Sequence, residues 1–175
     1  MSQFTRLTWI FIVAGSLSLC VFVVWTAGFR INTTESIPRG IYRITDDPLA
    51  QGAYVIFCPP NNRTFHTARE RGYISAGFCP HGYSYMMKRV LAAKGDVISV
   101  LDDGVRVNGT LLTLSVPLQT DGAARPMPTY RITQLHLTDE YLLMSDITAL
   151  SFDARYFGPI NRSQIIGVIS PIMIW

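Results

Sequence analysis

The hydrophobic and polar positions divide the chain into two unlike parts. Residues 7–29 form a run of 23 without a charged side chain, bounded by Arg6 and Arg30, which is long enough for a helix to cross the hydrocarbon core of a bilayer. Trp9 and Trp25 stand near the two ends of the run, where amphipathic rings sit at a membrane surface. A cleavable signal peptide, cut after Gly28, is the weaker alternative, because such peptides have an apolar core of about 7–15 residues. The pattern therefore predicts a tail over 1–6, a transmembrane anchor over 7–29 and an outer domain over 30–175. The tail is basic and has no acid, which places it in the cytoplasm and the outer domain in the periplasm, with inner-membrane lipid around the anchor.

Beyond Arg30 the pattern changes to short segments rich in aromatic and β-branched residues, which predict strands over 40–44, 53–57, 83–91, 96–101, 105–107, 141–144 and 165–174. Asp102-Asp103-Gly104 and Asn108-Gly109 predict tight hairpin turns. Helix is expected in the anchor, over 67–72 and over 131–137, while the Pro-rich piece 117–128 reads as a long connection. The fold class that follows is mainly β: an antiparallel domain outside the membrane behind a single N-terminal transmembrane helix.

Composition sharpens this picture. Charged residues make up 15% of the chain, against roughly 25% in soluble proteins, and much of the shortage lies in the anchor. With 49% hydrophobic residues the chain is not a disordered tail, and 13 Gly and 10 Pro do not suit a helical bundle. A net charge of +3 makes no electrostatic footprint for nucleic acid. Cys20 falls within the anchor, whereas Cys58 and Cys79 both lie outside, where the compartment favours a disulfide. A zinc site from Cys58, His66, Cys79 and His81 is a competing reading, but its spacing matches no common zinc pattern. Two separate free thiols are the third.

The chemistry narrows by elimination. There is no Gly-rich phosphate loop, no HExxH and no CxxC, so no cofactor or metal is expected. His66, His81 and His136 sit in no nucleophile-elbow sequence. A serine and a lysine remain. Pro38 and Gly40 fix a turn that presents Ser36 only eight residues after Gly28, close to the membrane. Lys88 is one of just two lysines and interrupts an apolar strand, where desolvation lowers an amine's pKa and makes it a candidate base. Lys94, beside Gly95-Asp96, reads as a solvated residue.

The string Ser36-Ile37-Pro38-Arg39-Gly40 resembles the active-site turn of type I signal peptidases, and Met87-Lys88-Arg89-Val90 with Gly95-Asp96 resembles that family's lysine box. A third match, Ser145-Asp146 followed by Ser151-Phe152-Asp153-Ala154-Arg155, resembles its final box. The resemblance implies a signal-peptidase-like β domain and a Ser/Lys serine peptidase working through an acyl-enzyme. By the same resemblance Ser36 is the nucleophile and Lys88 the general base. Ser151 orients the amine, and Asp153 joins the catalytic set through an ion pair with Arg155, with Asp146 in support. The Ser36 N–H and Thr34 would bind the oxyanion, and the substrate, a prepilin or preprotein, would lie as an extended strand beside 83–87.

The family's usual Gly-Asp-Asn-Arg appears here as Ser145-Asp146-Ile147-Thr148, which puts general leader-peptide processing in doubt. Small size, a single anchor and this departure are most like the conjugative-transfer branch of the family. That branch implies removal of a C-terminal peptide from plasmid prepilin and cyclisation of the product. Two other readings stand beside it: a general type I signal peptidase, and an inactive membrane-tethered β scaffold of a transfer or secretion apparatus.

Overall fold

The computed structural model describes residues 3–175; Met1 and Ser2, part of the tail read over 1–6, lie outside the described residues. Helix α1 (Gln3–Thr26) takes up the apolar run and begins ahead of it. Its window Trp9–Thr26 is long and apolar enough to cross a membrane, and side chains such as Phe11, Leu17 and Phe22 stand exposed around it. The apolar run reaches Phe29, but the helix stops at Thr26. Gly28 adopts a left-handed conformation (φ 87°), and Phe29 opens strand β1 (Phe29–Asn32). Arg30 fastens this corner: its Nη1 donates to the carbonyls of Trp25 and Phe29 (both 2.8 Å), and its guanidinium lies over the Trp25 ring.

Among the described residues, the remaining strands are β2 (Gly40–Thr45), β3 (Tyr54–Phe57), β4 (Met86–Ala92), β5 (Val97–Leu101), β6 (Gly104–Val107), β7 (Thr110–Leu111), β8 (Ile132–His136), β9 (Glu140–Met144), β10 (Ile160–Asn161) and β11 (Ile165–Ile174). They form a seven-stranded sheet in the order β1-β2-β11-β3-β4-β9-β10 and a four-stranded sheet in the order β7-β6-β5-β8, all pairs antiparallel. At Gly40 the backbone of β11 passes so close that a Cβ would run into Met173, so only glycine fits where the Ser36 turn enters β2.

Two helical expectations need correction. Where helix is expected over 131–137, the chain forms strand β8 (Ile132–His136). Ile132 and Leu135 are three apart, which imitates a helical face, but Ile98 pairs with Leu135 and Val100 with Ile132, so a bulge inserts one extra residue in β8 and turns both side chains the same way. The helix expected over 67–72 is α2 (Arg63–Glu70), which starts earlier because Asn62 caps it, its Oδ1 accepting from the Phe65 N–H at 3.1 Å. The strand expected over 83–91 begins at Met86; Tyr83 bridges to Ala76 instead. The turn at Asn108-Gly109 has both residues at positive φ (52° and 82°), as a tight hairpin demands.

The buried apolar side chains of the described residues fall into three groups. One, around Phe57, Phe65, Phe152 and Tyr156, packs α2 and the short α3 (Ala154–Phe157) against the large sheet. A second joins the two sheets through Ile98, Val100, Leu142 and Met144. The third, Ile37, Tyr42, Ile56, Met87 and Ile169, lies next to the Ser36 turn.

Candidate active site

The turn that carries Ser36 is organised by one side chain. Asn32, at the end of β1, is buried and uses its whole amide: Nδ2 donates to the carbonyls of Thr34 (2.9 Å), Ile37 (2.9 Å) and Pro38 (3.0 Å), and Oδ1 accepts from the Thr34 N–H (3.2 Å) and hydroxyl (2.9 Å). Ile37, fully buried, holds the turn from below, and the Tyr42 hydroxyl donates to the Pro38 carbonyl at 2.6 Å. Three carbonyls drawn to one amide leave the turn a single shape.

Lys88 reaches this turn from β4. It sits opposite Val55 on β3 and is 2% exposed. Its Nζ donates to Ser36 Oγ at 2.5 Å and to Ser151 Oγ at 2.7 Å, while the two hydroxyls are 3.3 Å apart. Burial pulls the Lys88 pKa down from 10.5 to about 8, with the Asp153 carboxylate pulling it up and the Arg155 guanidinium pushing it down. A substantial fraction of the amine is then neutral near pH 8, within proton-transfer reach of a hydroxyl.

Asp153 and Arg155 are completely buried. They form a two-pronged pair, Nε to Oδ1 and Nη2 to Oδ2, both at 2.8 Å. Arg155 also donates to the carbonyls of Leu114 (3.0 Å), Ala149 (2.8 Å) and Ser151 (2.9 Å). Asp153 caps α3 and accepts from the Ser145 N–H at 3.1 Å. The pair thus holds the backbone of Ser151, which in turn touches Lys88. Asp153 acts on the lysine through this brace and through its charge, its hydrogen bonds going to Arg155 and the Ser145 amide.

Two further residues read from the sequence sit differently. Asp146 pairs with Arg89 on the far side of the lysine strand, where Arg89 also donates to the Gly52 carbonyl (3.0 Å); this fastens the loop after β9 to β4 and does not touch the two hydroxyls. Thr34 lies beside Ser36, but its hydroxyl donates to Asn32 Oδ1, so its proton is engaged in the turn. Cys58 and Cys79 are joined, with Cα atoms 5.5 Å apart, and neither sulfur is left for zinc. His66 contacts the Tyr83 hydroxyl (3.1 Å) and His136 the Gln134 amide (3.2 Å), both away from Ser36. Lys94 is exposed. Asn32 escaped the reading of the sequence, although an Asn two residues before a Thr that opens a Ser-x-Pro turn is an Asx-turn signal.

Two cavities meet at Ser36. The first, about 270 Å³, runs between β1 and the start of β4 and includes Ile31, Thr34, Met86 and Lys88. Both flanking strands offer free edges: β1 pairs with β2 alone among the described residues, and β9 pairs with β4 only from Arg89 onward, leaving one edge of Met86–Lys88 open. A peptide in extended form can add a strand there. The second cavity, about 450 Å³, opens on the other side toward Leu118, Met127 and Leu150.

Compared with known proteins, the family model described as signal peptidase, peptidase S26, matches residues 4–175. Two Escherichia coli proteins, each named plasmid transfer protein TraF, are similar to the chain. One is 56% identical, covering 94% of this chain and 93% of its own length; the other is 52% identical over 100% of both. The signal peptidase I V of Bacillus subtilis (strain 168) is 28% identical over 50% of this chain and 57% of its own.

Proposed function

The chain belongs to the signal peptidase family, peptidase S26, a class of serine peptidases, and on that premise we propose that it is a membrane-anchored Ser/Lys endopeptidase that processes prepilin for conjugative plasmid transfer, removing a C-terminal peptide and closing the pilin into a ring. The observation that carries the reading is the 2.5 Å approach of Lys88 Nζ to Ser36 Oγ in a buried setting. Neutral Lys88 takes the Ser36 proton as the hydroxyl attacks the scissile carbonyl. The Ser36 N–H faces the developing oxyanion, joined by the Thr34 hydroxyl once that rotates off Asn32. Lys88 then returns the proton to the departing amine, leaving an ester on Ser36. Water resolves the ester to an acid; an amine held closer resolves it to an amide.

Helix α1 anchors the enzyme in the inner membrane and residues 30–175 work in the periplasm, an assignment that the Cys58–Cys79 bond supports, since disulfides persist in oxidising compartments. The conjugative role draws on the likeness to the two plasmid transfer proteins over nearly the whole chain. The shorter match to a Bacillus signal peptidase favours a second reading, general leader-peptide cleavage.

Mass spectrometry of prepilin co-expressed with the enzyme tests the proposal. The expected product is trimmed and one water lighter than the linear chain, and Ser36→Ala and Lys88→Ala should each abolish it while the protein stays folded and membrane-bound. A product mass equal to simple cleavage would remove cyclisation and favour the second reading; full processing by Lys88→Ala would remove the dyad.

A further inference from the structure

The free edges of β1 and β4 account for one side of Ser36. On the other side the wall is built by the Pro-rich connection 117–128, which is an ordered arm. Asp121 N–H donates to the Arg125 carbonyl and Met127 N–H to the Gln119 carbonyl, both at 3.0 Å, and Thr120 bridges Pro126. The arm is docked at three points: the Tyr73 hydroxyl bonds Asp121, Arg71 Nη1 donates to the Pro126 carbonyl (2.6 Å), and the Leu118 N–H donates to the Tyr156 hydroxyl (3.0 Å). The cavity behind it has two acids, but each is spent on a neighbouring arginine, Glu35 on Arg39 and Asp121 on Arg125. Hydroxyls such as that of Thr148 also line it, but most of what it offers a ligand is apolar: Leu118, Met127, Phe152 and Leu150, the last 77% exposed at the mouth.

Peptide cleavage at Ser36 divides the substrate. The acyl part stays attached as an ester and needs the main-chain hydrogen bonds of the open strand edges. The amine part must leave, which suits a cavity that grips by side-chain contact alone. Attack of an acceptor amine on the ester is that expulsion run backwards: the N–C bond forms, the C–Oγ bond breaks, and the amine's proton passes to Lys88 and on to Ser36 Oγ. The departing and the incoming amine therefore occupy the same place.

We propose that the cavity walled by the 117–128 arm is the acceptor site, binding a polypeptide segment with apolar residues next to its amine, and that its occupancy decides amide formation against hydrolysis. This rests on the acyl-enzyme reading above. A filled cavity both raises the local concentration of the amine and keeps water from the ester.

The test uses the full chain in detergent micelles, a thioester of a short acyl peptide as donor and a hexapeptide with Leu and Val at its N-terminus as acceptor, with amide and acid products counted by mass spectrometry. Gly122 lies in the arm with an ordinary backbone conformation and open space at its Cβ, so Gly122→Phe fills the cavity. It should lower the amide-to-acid ratio about tenfold. Leu150→Ser, at an exposed position that folding tolerates, should raise the acceptor concentration needed for half-maximal amide formation, also by about tenfold. An unchanged ratio and half-maximal concentration in both variants, with Ser36 reactive, would overturn this proposal alone. A Ser36 that forms no ester in the unsubstituted protein would overturn it together with the acyl-enzyme reading.

Discussion

Lys88 is held in a setting that opposes its ordinary charge, and two measurable consequences follow. In the proposed mechanism the neutral base is the reactive form, so kcat/KM should rise about tenfold per pH unit below a pKa of about 8 and level off above it; a profile flat between about pH 6 and 9 would exclude Lys88 as the base. Stability moves the same way. In the unfolded chain the lysine titrates at 10.5 and in the folded protein at about 8, so between those values the unfolded chain binds the extra proton and stability climbs with pH. Below about 8 the cost of burying the ammonium is felt in full, on the order of 3 kcal/mol, and melting temperatures across pH 7–10 should show the climb. Asn32 makes the other residue-scale prediction. Asn32→Asp keeps the size but points an oxygen at three carbonyls; it should cost about 2–3 kcal/mol of stability and lower kcat about a hundredfold with KM little changed, measured by melting and steady-state kinetics. Equal losses in kcat and 1/KM would reduce Asn32 to a packing role. The meeting of Ser36 and Lys88 could be expected from the sequence because each sits in a short string that resembles a signal-peptidase box. The work of Asn32 could not, because its carbonyl partners converge only when the turn closes.

At the scale of elements, strands were readable wherever a short apolar segment ends in a turn residue, as in β2, β5 and β9. The misreading of β8 came from a bulge, a tertiary event that shifts a two-residue period to three. The ordered arm over 117–128 was hidden for a related reason: its hydrogen bonds go to Arg71, Tyr73 and Tyr156, remote in sequence. The Cys58–Cys79 bond closes the segment that contains α2 and delivers Tyr73 to both cavities. Closing a loop of 21 residues stabilises by about 3 kcal/mol in the chain-entropy account. Cys58→Ser together with Cys79→Ser should therefore lower the melting temperature by roughly 5 °C or more and raise KM for peptide substrates. A pair substitution that leaves both unchanged would show that the bond constrains nothing the site uses.

For the whole molecule, the apolar run and the short strands sufficed to foresee an N-terminal helix ahead of an antiparallel β domain, but not the order in which the strands join. Sequence neighbours pair in β1–β2, β3–β4 and β5–β6, whereas β11 inserts between β2 and β3. One side of β11 thus holds the strand that follows the Ser36 turn, and the other holds the strand on which β4 and Lys88 depend. Of all the strands in the sheet it is the last to be synthesised. Until β11 is made, no strand joins the half of the sheet that carries the serine to the half that carries the lysine, which predicts that the proposed pair is not yet assembled. Chains halted before Ile165, tethered to the ribosome or truncated there, should fail to react at Ser36 with a fluorophosphonate, and reactivity should appear once β11 is present. Labelling of the halted chain would break that link. The closing strand ties the pairing of Ser36 with Lys88 to the last stretch of the sheet to be made, so a chain that carries both residues but lacks β11 still lacks the strand that joins their two halves.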